Sequence, residues 1–336
     1  MTNIQDVAKL AKVAPITVSR VINNSGYVSD KTRKRVEGAI AELGYVPNML
    51  GPSLRFKQTM SIAAMVTDIT NPFWTTVTRG IEDVASANGY LTILCNSDES
   101  EEKQALYLET LLQRQIDGIL LVPASNDSAS IKRILNQKIP LVVLDREVQN
   151  VAVDVVRADS QEGAYLLTKH LLALGHRHIA MLAGPKSTST SVDRVTGYLH
   201  ALEEAGIEPN DDLIYWDAYT QEAGYRNAKR VINSALCPTA IFAANNFIAI
   251  GTIQALKDQE LCVPDDMSIV AVDDIPPTYS LEPFLTVAAQ PAKEMGRVAA
   301  ELLLDRIKNE EDKPPQSIIL DITMIIRSSS GKNLKR

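Results

Sequence analysis

The chain has 336 residues, of which 45% are hydrophobic and 22% are charged, and its formal net charge is −7 at pH 7. This length exceeds one ordinary domain and is enough for two or three, each with its own hydrophobic core. The three cysteines are far apart and form no CxxC pair, which argues against a disulfide framework and against a zinc site.

The amino-terminal segment differs in charge from the rest of the chain. Residues 1–60 hold nine Lys and Arg against four Asp and Glu, a net charge of +5, whereas the remainder has a net charge of −12. This asymmetry indicates a basic module for a polyanion joined to an acidic body. The first residues, MTNIQDVAKL, contain no basic stretch before an apolar run, and no run reaches the ~18 apolar residues of a membrane span. We therefore expect a cytoplasmic protein with no membrane partner.

Two short helices joined by a tight turn are predicted in the first 24 residues. The first helix begins at Thr2, with Gln5 completing a capping box, buries Val7, Leu10 and Ala11, and breaks near Lys12. The second helix lies in the stretch VAPITVSRVIN, has proline in its first turn, and runs to about Asn24.

The second helix has one apolar and one mostly polar arc. Val18, Val21 and Ile22 share the arc that faces the core, at about 100° per residue. The opposite arc holds the residues Ile16, Thr17, Ser19, Arg20 and Asn23. A solvated face would not need the apolar Ile16, so this arc is predicted to contact a partner.

A third helix is predicted from the N-cap Ser29 to the C′ residue Gly44, with Val36, Ile40 and Leu43 at helical spacing. Three short helices, a positive charge and an exposed face of Thr, Ser, Arg and Asn favour a helix-turn-helix whose second helix enters the major groove. The alternative is a small helical interaction module.

The stretch IQDVAKLAKVAPITVSRVINNSGYVSDKTRKRVEGAIAELGYVPN resembles the DNA-binding headpiece of the lactose/galactose repressor family (LacI/GalR). The resemblance implies that Pro15, Ile16 and Arg20 read bases. It implies phosphate contacts for the residues Thr17, Ser19, Asn23 and Tyr27. An apolar side chain favours a thymine methyl, and an arginine fork fits guanine O6 and N7. Ala14 replaces the usual N-cap serine, which weakens the start of the helix.

The segment PNMLGPSLRFKQT resembles the hinge of the same family. The resemblance implies that Leu54 inserts into the minor groove at the operator centre, where an apolar wedge unstacks a base step and bends the duplex. Gly51-Pro52 departs from the family pattern, because proline removes a backbone donor and disfavours helix at the residue before it. A plain linker is the alternative.

From residue 60 onward, short apolar runs alternate with amphipathic helical stretches. This βαβ rhythm, with continuous apolar strands, predicts parallel sheets covered by helices on both faces. The number of runs and a break near DVVRADSQEG indicate two such sheets. Ligands of open α/β sheets bind beyond the carboxyl ends of the strands, and most residues at those positions are polar. Asp, Asn, Gln and Arg side chains there suit the hydroxyls of a sugar, although single Asp and Asn residues could simply cap the following helices.

Motifs along residues 60–327, such as NPFWTTVTRGIEDVASANGY, DRVTGYLHAL and FAANNFIAIG, resemble the effector domain of the same repressor family and the related periplasmic sugar-binding proteins. The resemblance implies ribose-binding positions, and hence a monosaccharide, at Asn71, Phe73, Trp74, Asp145, Arg146, Arg194, Asn245, Asp273 and Gln290. Asn246 and Phe247 depart from the pattern, which commonly has Asp after the binding Asn.

The predicted architecture is an all-α helix-turn-helix headpiece (1–46), a hinge (47–59) and an α/β two-lobed periplasmic-binding-protein-like effector domain (60–327). The first lobe is expected at about 60–159 and 291–317, the second at about 160–290 and 318–327, and a tail at 328–336. The tail carries no leucine heptads, so a dimer is expected and not a coiled-coil tetramer.

Other functions have less support in the sequence. Asp145 and Asp273 could serve as the acid and base of a glycosidase, but arginines in the same cleft would keep both carboxylates ionised. His176 and His178 lack further metal ligands, and no Walker-type loop or GxGxxG motif is present. A sugar receptor without a DNA role would need a secretory signal and no headpiece.

The sequence therefore predicts a transcriptional regulator, with repression as the expected sign, that needs no cofactor and performs no catalysis. A homodimer binds a pseudo-palindromic operator with one headpiece on each half-site. A monosaccharide, such as a pentose or hexose, binds between the lobes and controls operator affinity by allostery. The identity of the sugar, the regulated genes and the direction of the response are left open.

Overall fold

The computed structural model describes residues 2–46, 58–125, 128–275, 283–309 and 313–333. The chain divides into two compact units, Met1–Thr59 and Met60–Arg336. The predicted hinge features, Leu54 and Gly51-Pro52, lie outside the described residues.

The described residues of the first unit form three helices, α1 (Ile4–Ala11), α2 (Pro15–Ile22) and α3 (Asp30–Leu43). Val7, Val18, Val21 and Val36 form its core, with Ala8, Ala11 and Ala39 between them. Small aliphatic side chains let three short helices pack closely around so small a core. The helix-turn-helix expectation is thereby confirmed for the described residues of this unit.

The ends of α1 and α2 differ in detail from the prediction. Asn3, not Thr2, caps α1: its side chain accepts from the amides of Gln5 and Asp6, at 2.8 and 3.1 Å, and Asp6 accepts in return from the Asn3 amide. Asp6 stands three residues after Asn3, so both bonds of a capping box can form there. At the other end, α1 stops at Lys12, as predicted. Helix α2 ends at Ile22, two residues before the expected Asn24.

Leu10 was predicted to be buried and is 42% exposed. The buried face of α1 centres on Val7, Ala8 and Ala11, and Leu10 lies about 100° around the helix from that centre. The caps of α3 match the prediction: Ser29 accepts from the amide of Thr32, and Gly44 takes a left-handed conformation with φ of 56°. Ala14 caps α2 without a side-chain hydrogen bond.

The second unit contains two six-stranded sheets. The first sheet has the order β2-β1-β3-β4-β5-β11 and is parallel throughout, with strands Leu91–Asn96, Ser61–Val66, Gly118–Leu121, Leu141–Leu144, Asp154–Ala158 and Ser317–Leu320. The second has the order β7-β6-β8-β9-β10-β12, with strands Ile214–Trp216, Ile179–Ala183, Ala240–Ala243, Ser268–Val272, Thr286–Ala289 and Thr323–Ile325. Only β12 is antiparallel to its neighbour among these strands.

Helices cover both faces of each sheet. Those of the first lobe are α4 (Pro72–Ala87), α5 (Glu101–Gln113), α6 (Ala129–Asn136) and α11 (Ala292–Lys308). Those of the second are α7 (Ser160–Ala173), α8 (Ser189–Glu204), α9 (Gln221–Ile232) and α10 (Asn246–Asp258), with a 3₁₀ turn at Asp211–Leu213. The central strands β1, β3, β4, β6, β8 and β9 are almost fully buried, as expected for parallel strands covered on both sides. None of the helices described is long and apolar enough to span a bilayer.

The chain crosses between the lobes three times. The first two crossings follow β5 and β10, close to the predicted boundaries. The third comes after Leu320, because Ser317–Leu320 pairs with β5 in the first sheet. The boundary predicted at 317 is therefore a few residues early. Within the predicted tail, Ser329 is fully buried and its hydroxyl donates to the Ile269 carbonyl at 2.7 Å, so residues 328–333 pack on the second sheet.

Candidate functional sites

In the first unit, α2 and the turn that follows it present a largely exposed surface. Ile16 is 60% exposed and Tyr27 is 90% exposed, although both side chains are large and hydrophobic. Pro15, Arg20 and Asn23 are also exposed. Exposed large hydrophobic residues on a basic surface indicate contact with a partner.

The remaining two predicted residues of this surface are half-buried. Thr17 and Ser19 lie at its edge, and the Ser19 hydroxyl accepts from the Asn23 amide nitrogen at 3.2 Å. Seven of the eight residues predicted to contact DNA thus lie on α2 and the turn after it, and Leu54 lies outside the described residues.

In the second unit, a cavity of about 310 Å³ is lined by the segments that follow the strands of both sheets. All nine predicted effector-binding residues line it: Asn71, Phe73, Trp74, Asp145, Arg146, Arg194, Asn245, Asp273 and Gln290. The carboxyl ends of parallel strands lie at the same edge of a sheet, which explains how residues so far apart in sequence come together.

Two asparagines in the lining also cap helices. The Asn71 side-chain oxygen accepts from the Phe73 amide at 3.0 Å, at the start of α4. The Asn245 oxygen accepts from the Ile248 amide at 2.9 Å, at the start of α10. The capping interpretation of these two residues is therefore correct, and each also contributes to the cavity wall.

The two aspartates of the cavity follow strands directly and have left-handed backbones. Asp145, after β4, has φ of 63°, and Asp273, after β9, has φ of 70°. Such conformations cost free energy in residues with a side chain and are concentrated at functional sites. Both carboxyl groups are buried.

Burial dominates the titration of these aspartates. It raises the pKa of Asp145, against the opposing attraction of Arg194 and Arg146. It raises the pKa of Asp273 to about 6, although Arg194 and a hydrogen bond from Gln290 act in the opposite direction. The Gln290 nitrogen donates to the Asp273 carboxylate at 2.6 Å.

Each arginine of the cavity is anchored by protein acceptors. The terminal nitrogens of Arg146 donate to both carboxylate oxygens of Glu99 at 2.6 Å, and one of them also donates to the Pro123 carbonyl at 2.7 Å. Arg194 donates to the Ala244 carbonyl at 2.9 Å. These contacts hold both guanidinium groups in fixed positions at the cavity wall.

Five buried polar atoms of the lining have no hydrogen-bond partner within the described structure. They are Thr67 Oγ1, Asp145 Oδ1, Arg146 Nε, Arg194 Nε and Gln290 Oε1. Buried polar groups are almost always paired, so an unpaired set around one cavity indicates a ligand that supplies both donors and acceptors. A polyhydroxylated molecule has this property, because each hydroxyl both donates and accepts.

Aromatic side chains complete the cavity. Phe73 and Trp74 lie edge to face, with ring centroids 4.7 Å apart, on the first lobe. Tyr219 and Phe247 line it from the second lobe. The Tyr219 hydroxyl accepts from Ser191 at 2.7 Å. Rings of this kind can cover the C–H faces of a sugar while the polar groups bind its hydroxyls.

Sequence reasoning missed Tyr219, Glu99 and Thr190, which also line the cavity. Tyr219 follows β7, a strand of three residues whose short apolar run was not recognised. Glu99 follows β2 in a loop whose residues Asp98 and Glu99 both have positive φ. A rule that includes the second and third residue after each strand could have found Glu99 and Tyr219.

The two lobes contact each other beside the cavity. The side-chain amides of Asn71 and Asn246 exchange two hydrogen bonds, at 3.0 and 2.9 Å, and both residues are buried. The Glu147 amide donates to the Ser189 hydroxyl at 2.8 Å. Asn246, one of the departures from the family pattern, therefore binds the partner lobe.

The histidines raised as metal ligands have protein partners. His176 contacts the Thr239 hydroxyl at 2.8 Å and the Gly331 carbonyl at 3.0 Å, and His178 contacts the Leu236 carbonyl at 2.7 Å. Within the part of the chain that the structure describes, no three His, Cys, Asp or Glu side chains are grouped as a metal site requires.

Comparison with family models divides the chain as the structure does. Residues 3–48 match the model of bacterial regulatory proteins of the lacI family. Residues 59–328 match the model of periplasmic binding proteins and the sugar binding domain of the LacI family. The two matches together cover nearly the whole chain.

Two relatives match over nearly their full lengths. The transcriptional regulator DegA of Bacillus subtilis is 36% identical over 333 residues, which are 98% of each chain. The ribose operon repressor of Haemophilus influenzae is 36% identical over 330 residues, again 98% of each chain. Both names describe transcriptional regulators, not enzymes.

Two solved structures are similar in fold. A lac repressor dimer bound to operator and the anti-inducer ONPF has a TM-score of 0.85 and 26% identity, covering 98% of this chain and 99% of its own. A LacI family regulator from Enterococcus faecium with bound ribose has a TM-score of 0.73 and 33% identity, covering 82% of this chain and all of its own.

Proposed function

Since the chain belongs to the LacI family of bacterial regulatory proteins, we propose that it is a transcriptional repressor whose affinity for its operator is controlled by one monosaccharide. Its two units correspond to the DNA-binding and the sugar-binding parts of that family. The proposal assigns residues 1–46 to the headpiece, 47–59 to the hinge and 60–327 to the effector domain. The protein is proposed to act in the cytoplasm, where operator DNA is accessible.

The unpaired polar atoms around the cavity carry the sugar assignment. Nine polar or aromatic side chains predicted from the sequence surround one cavity of about 310 Å³, at the small end of the ~300–1,000 Å³ range of ligand pockets. A monosaccharide fits this size and can supply the missing donors and acceptors together. In this role Asp145 and Asp273 accept from hydroxyls, and Arg194 donates through its free Nε.

A pentose is the favoured size of effector. One relative is a ribose operon repressor with 36% identity, and one similar structure, at 33% identity, contains ribose. Phe247 and Tyr219 line the cavity on the second lobe. We therefore propose ribose, or an aldopentose close to it, as the effector.

The exposed surface of α2 is the proposed DNA-reading surface. Arg20 reaches guanine with its planar fork and Ile16 contacts a thymine methyl, while Thr17, Ser19, Asn23 and Tyr27 contact phosphates. The first 60 residues carry a net charge of +5, which favours a polyanion. Leu54 is proposed to enter the minor groove, as in the family hinge.

The proposed operator-binding species is a homodimer formed through the first lobe. Strand β2 lies at the edge of its sheet, and its residues Leu91 and Leu94 are 65% and 46% exposed. Leu106 on the adjoining helix α5 is 64% exposed. An edge strand with exposed leucines favours pairing with another chain, because edges that stay unpaired are protected by charge or proline. Sedimentation at micromolar concentration should show a dimer, and a stable monomer or tetramer would contradict this assignment.

Coupling between sugar and DNA follows from linkage. The sugar contacts both lobes, so it favours one angle between them over others. If that angle changes the affinity for DNA, then DNA must change the affinity for the sugar by the same factor. The sign of the coupling is proposed to be release of the operator.

A thermal-shift panel on the full chain tests the proposal, with ribose, xylose, arabinose, glucose and ribitol as probes. A ligand at 100 times its Kd adds about 2.7 kcal/mol to the free energy of unfolding, so one of the aldopentoses should raise the Tm clearly. Arg194→Ala should abolish the shift, because it removes a cavity donor. Arg133→Ala, on the exposed face of α6, is the matched control and should keep it.

The same sugar should then alter operator binding, measured by fluorescence anisotropy with a labelled operator fragment. Arg194→Ala should bind the operator normally and no longer respond to the sugar. If no neutral sugar shifts the Tm, or if Arg194→Ala responds like the unmodified chain, the proposed effector site is wrong.

A further inference from the structure

Acidic side chains outnumber basic ones in the cavity lining. Among the described residues that line it, five are carboxylic acids and two are arginines: Asp68, Asp98, Glu99, Asp145 and Asp273, against Arg146 and Arg194. Lys103 pairs with Asp98 but does not belong to the lining. A phosphate monoester carries a charge of about −1.5 to −2 at pH 7, so its entry would add repulsion to an already acidic site.

Arg146 cannot offset this charge with a free fork. A guanidinium binds phosphate best through two parallel N–H groups. Both terminal nitrogens of Arg146 already donate to Glu99, at 2.6 Å each. Arg194 donates to the Ala244 carbonyl at 2.9 Å through one terminal nitrogen, and its Nε has no partner within the described structure. The donor of Arg146 that has no partner is the single Nε, which suits one hydroxyl and not a phosphate group.

Three helix ends near the cavity, those of α4, α9 and α10, do not form a phosphate cradle. Helix N-termini bind anions through free backbone amides. At α4 and α10 the side chains of Asn71 and Asn245 occupy amides of the first turn, and Pro72 supplies no amide at all. At α9 the Thr220 hydroxyl accepts from the Ala223 amide at 3.1 Å.

Glu99 holds a particular place in this arrangement. Its carboxylate is 35% exposed, so it lies at the mouth of the cavity, while its partner Arg146 is 4% exposed and lies inside. The loop that carries it has two successive left-handed residues, Asp98 and Glu99, a conformation that costs free energy. The loop is fixed by the Asn96 amide, which donates to Asp98 at 2.6 Å.

We propose that Glu99 makes the cavity selective for a free sugar over its phosphate ester, because it occupies the Arg146 fork and places a negative charge at the mouth. The inference rests on the proposed function and names the ligand class of the same site. Glu99 is a specificity-determining residue, and its effect on the sugar itself is exerted by positioning Arg146. A regulator of this kind responds before a phosphoryl-transfer reaction consumes its effector.

The test compares D-ribose with D-ribose 5-phosphate by isothermal titration calorimetry on the full chain. Like charges placed close together in a partly buried site cost several kcal/mol, so the phosphate should bind at least ~50-fold more weakly than ribose. Glu99→Gln removes the charge and frees part of the Arg146 fork. It should reduce the ratio of the Kd of ribose 5-phosphate to the Kd of ribose about tenfold. The ratio for the unmodified chain should also shrink at high salt, because added ions screen the exposed Glu99.

Glu101→Gln is the matched control, because it removes the same charge two residues away on an exposed residue that does not line the cavity. It should leave the ratio unchanged. Tighter binding of the phosphate to the unmodified chain, or an equal ratio in Glu99→Gln, would overturn the inference and leave the proposed function standing. Failure of both compounds to bind would overturn the choice of ribose, and the inference with it.

Discussion

Arg20 illustrates how a single side chain can be assigned before any DNA is seen. It is exposed on α2, on the same surface as Ile16 and Asn23, and its terminal fork matches guanine. Neighbouring Thr17 and Ser19 have short side chains that suit phosphate oxygens. The two kinds of residue therefore predict two different mutant phenotypes.

Arg20→Ala should relax base preference at one position of each half-site, because a bidentate arginine contributes about 1–3 kcal/mol of discrimination. Thr17→Ala should instead weaken binding nearly equally for all sequences. Binding to a library of operator variants, at fixed salt, measures both. An unchanged operator preference in Arg20→Ala would show that another residue reads that base.

Asp273 predicts how sugar affinity depends on pH. Burial raises its pKa to about 6, above the ~3.9 of an exposed aspartate. Protonation of a carboxyl group with a raised pKa adds to the free energy of unfolding of the ligand-free chain. This contribution is fully present below the ~3.9 of an exposed aspartate, and it is lost as the pH rises through about 6.

A hydroxyl that donates to Asp273 favours the ionised carboxylate, so binding below pH 6 requires release of a proton. Sugar affinity should fall as the pH is lowered from 6.5 to 5, by at most about tenfold per pH unit for each proton released. Burial of Asp145 acts in the same direction. Calorimetric titrations across this range measure the effect, and an affinity that rises in acid would contradict it.

At the scale of elements, the sequence predicted what local chemistry determines. The caps of α3 follow from Ser29 and Gly44 alone, and the nine positions that the family resemblance implied all line the cavity. Strand β7 was missed because three residues are too few to show a pattern. Leu10 was misplaced because it lies about 100° around α1 from the centre of the buried face. Glu99 depends on loop conformation, which sequence periodicity does not report.

The segment after β6 shows how an element can shape the cavity without contacting a ligand. Gly184 follows β6, and a Cβ there would lie 2.2 Å from the Tyr219 ring and 2.5 Å from the Ser191 hydroxyl. Such distances are far below van der Waals contact, so any side chain at this position must displace Tyr219.

Gly184→Ala should therefore weaken sugar binding by about tenfold or more, since displacement of a positioned group by even 1 Å lowers complementarity. Operator affinity without sugar should be unchanged. Tyr219→Phe, which keeps the ring and loses only the hydroxyl, should have the smaller effect. Equal sugar affinities in Gly184→Ala and the unmodified chain would show that Tyr219 is not part of the site.

At the scale of the whole effector unit, the paired amides of Asn71 and Asn246 join the lobes. Each amide donates once and accepts once across the interface, at 3.0 and 2.9 Å, away from water. A buried amide that loses its partner costs about 1–3 kcal/mol. The pair therefore favours the relative position of the lobes that the structure describes.

Asn246→Ala should lower the Tm of the ligand-free chain and weaken sugar binding, because both depend on this position of the lobes. Asn246→Asp should also lower the Tm, since a carboxylate still accepts from the Asn71 nitrogen but leaves the Asn71 oxygen without its donor and adds a buried charge. Asn233→Ala, an exposed asparagine on the same lobe, is the control. Differential scanning calorimetry and titration with ribose measure the two effects, and an unchanged Tm in Asn246→Ala would contradict the role of the pair.

The three crossings between the lobes limit how the effector unit can move. The crossings begin or end at neighbouring strands, since β5 lies beside β11 in one sheet and β10 lies beside β12 in the other. We expect three neighbouring connections to allow the lobes to bend relative to each other more readily than to twist or slide. Gln290, which lines the cavity, lies in the second crossing itself. Under the proposed function, the ligand contacts one of the connections between the lobes as well as the lobes themselves, so this contact can set the angle between them directly.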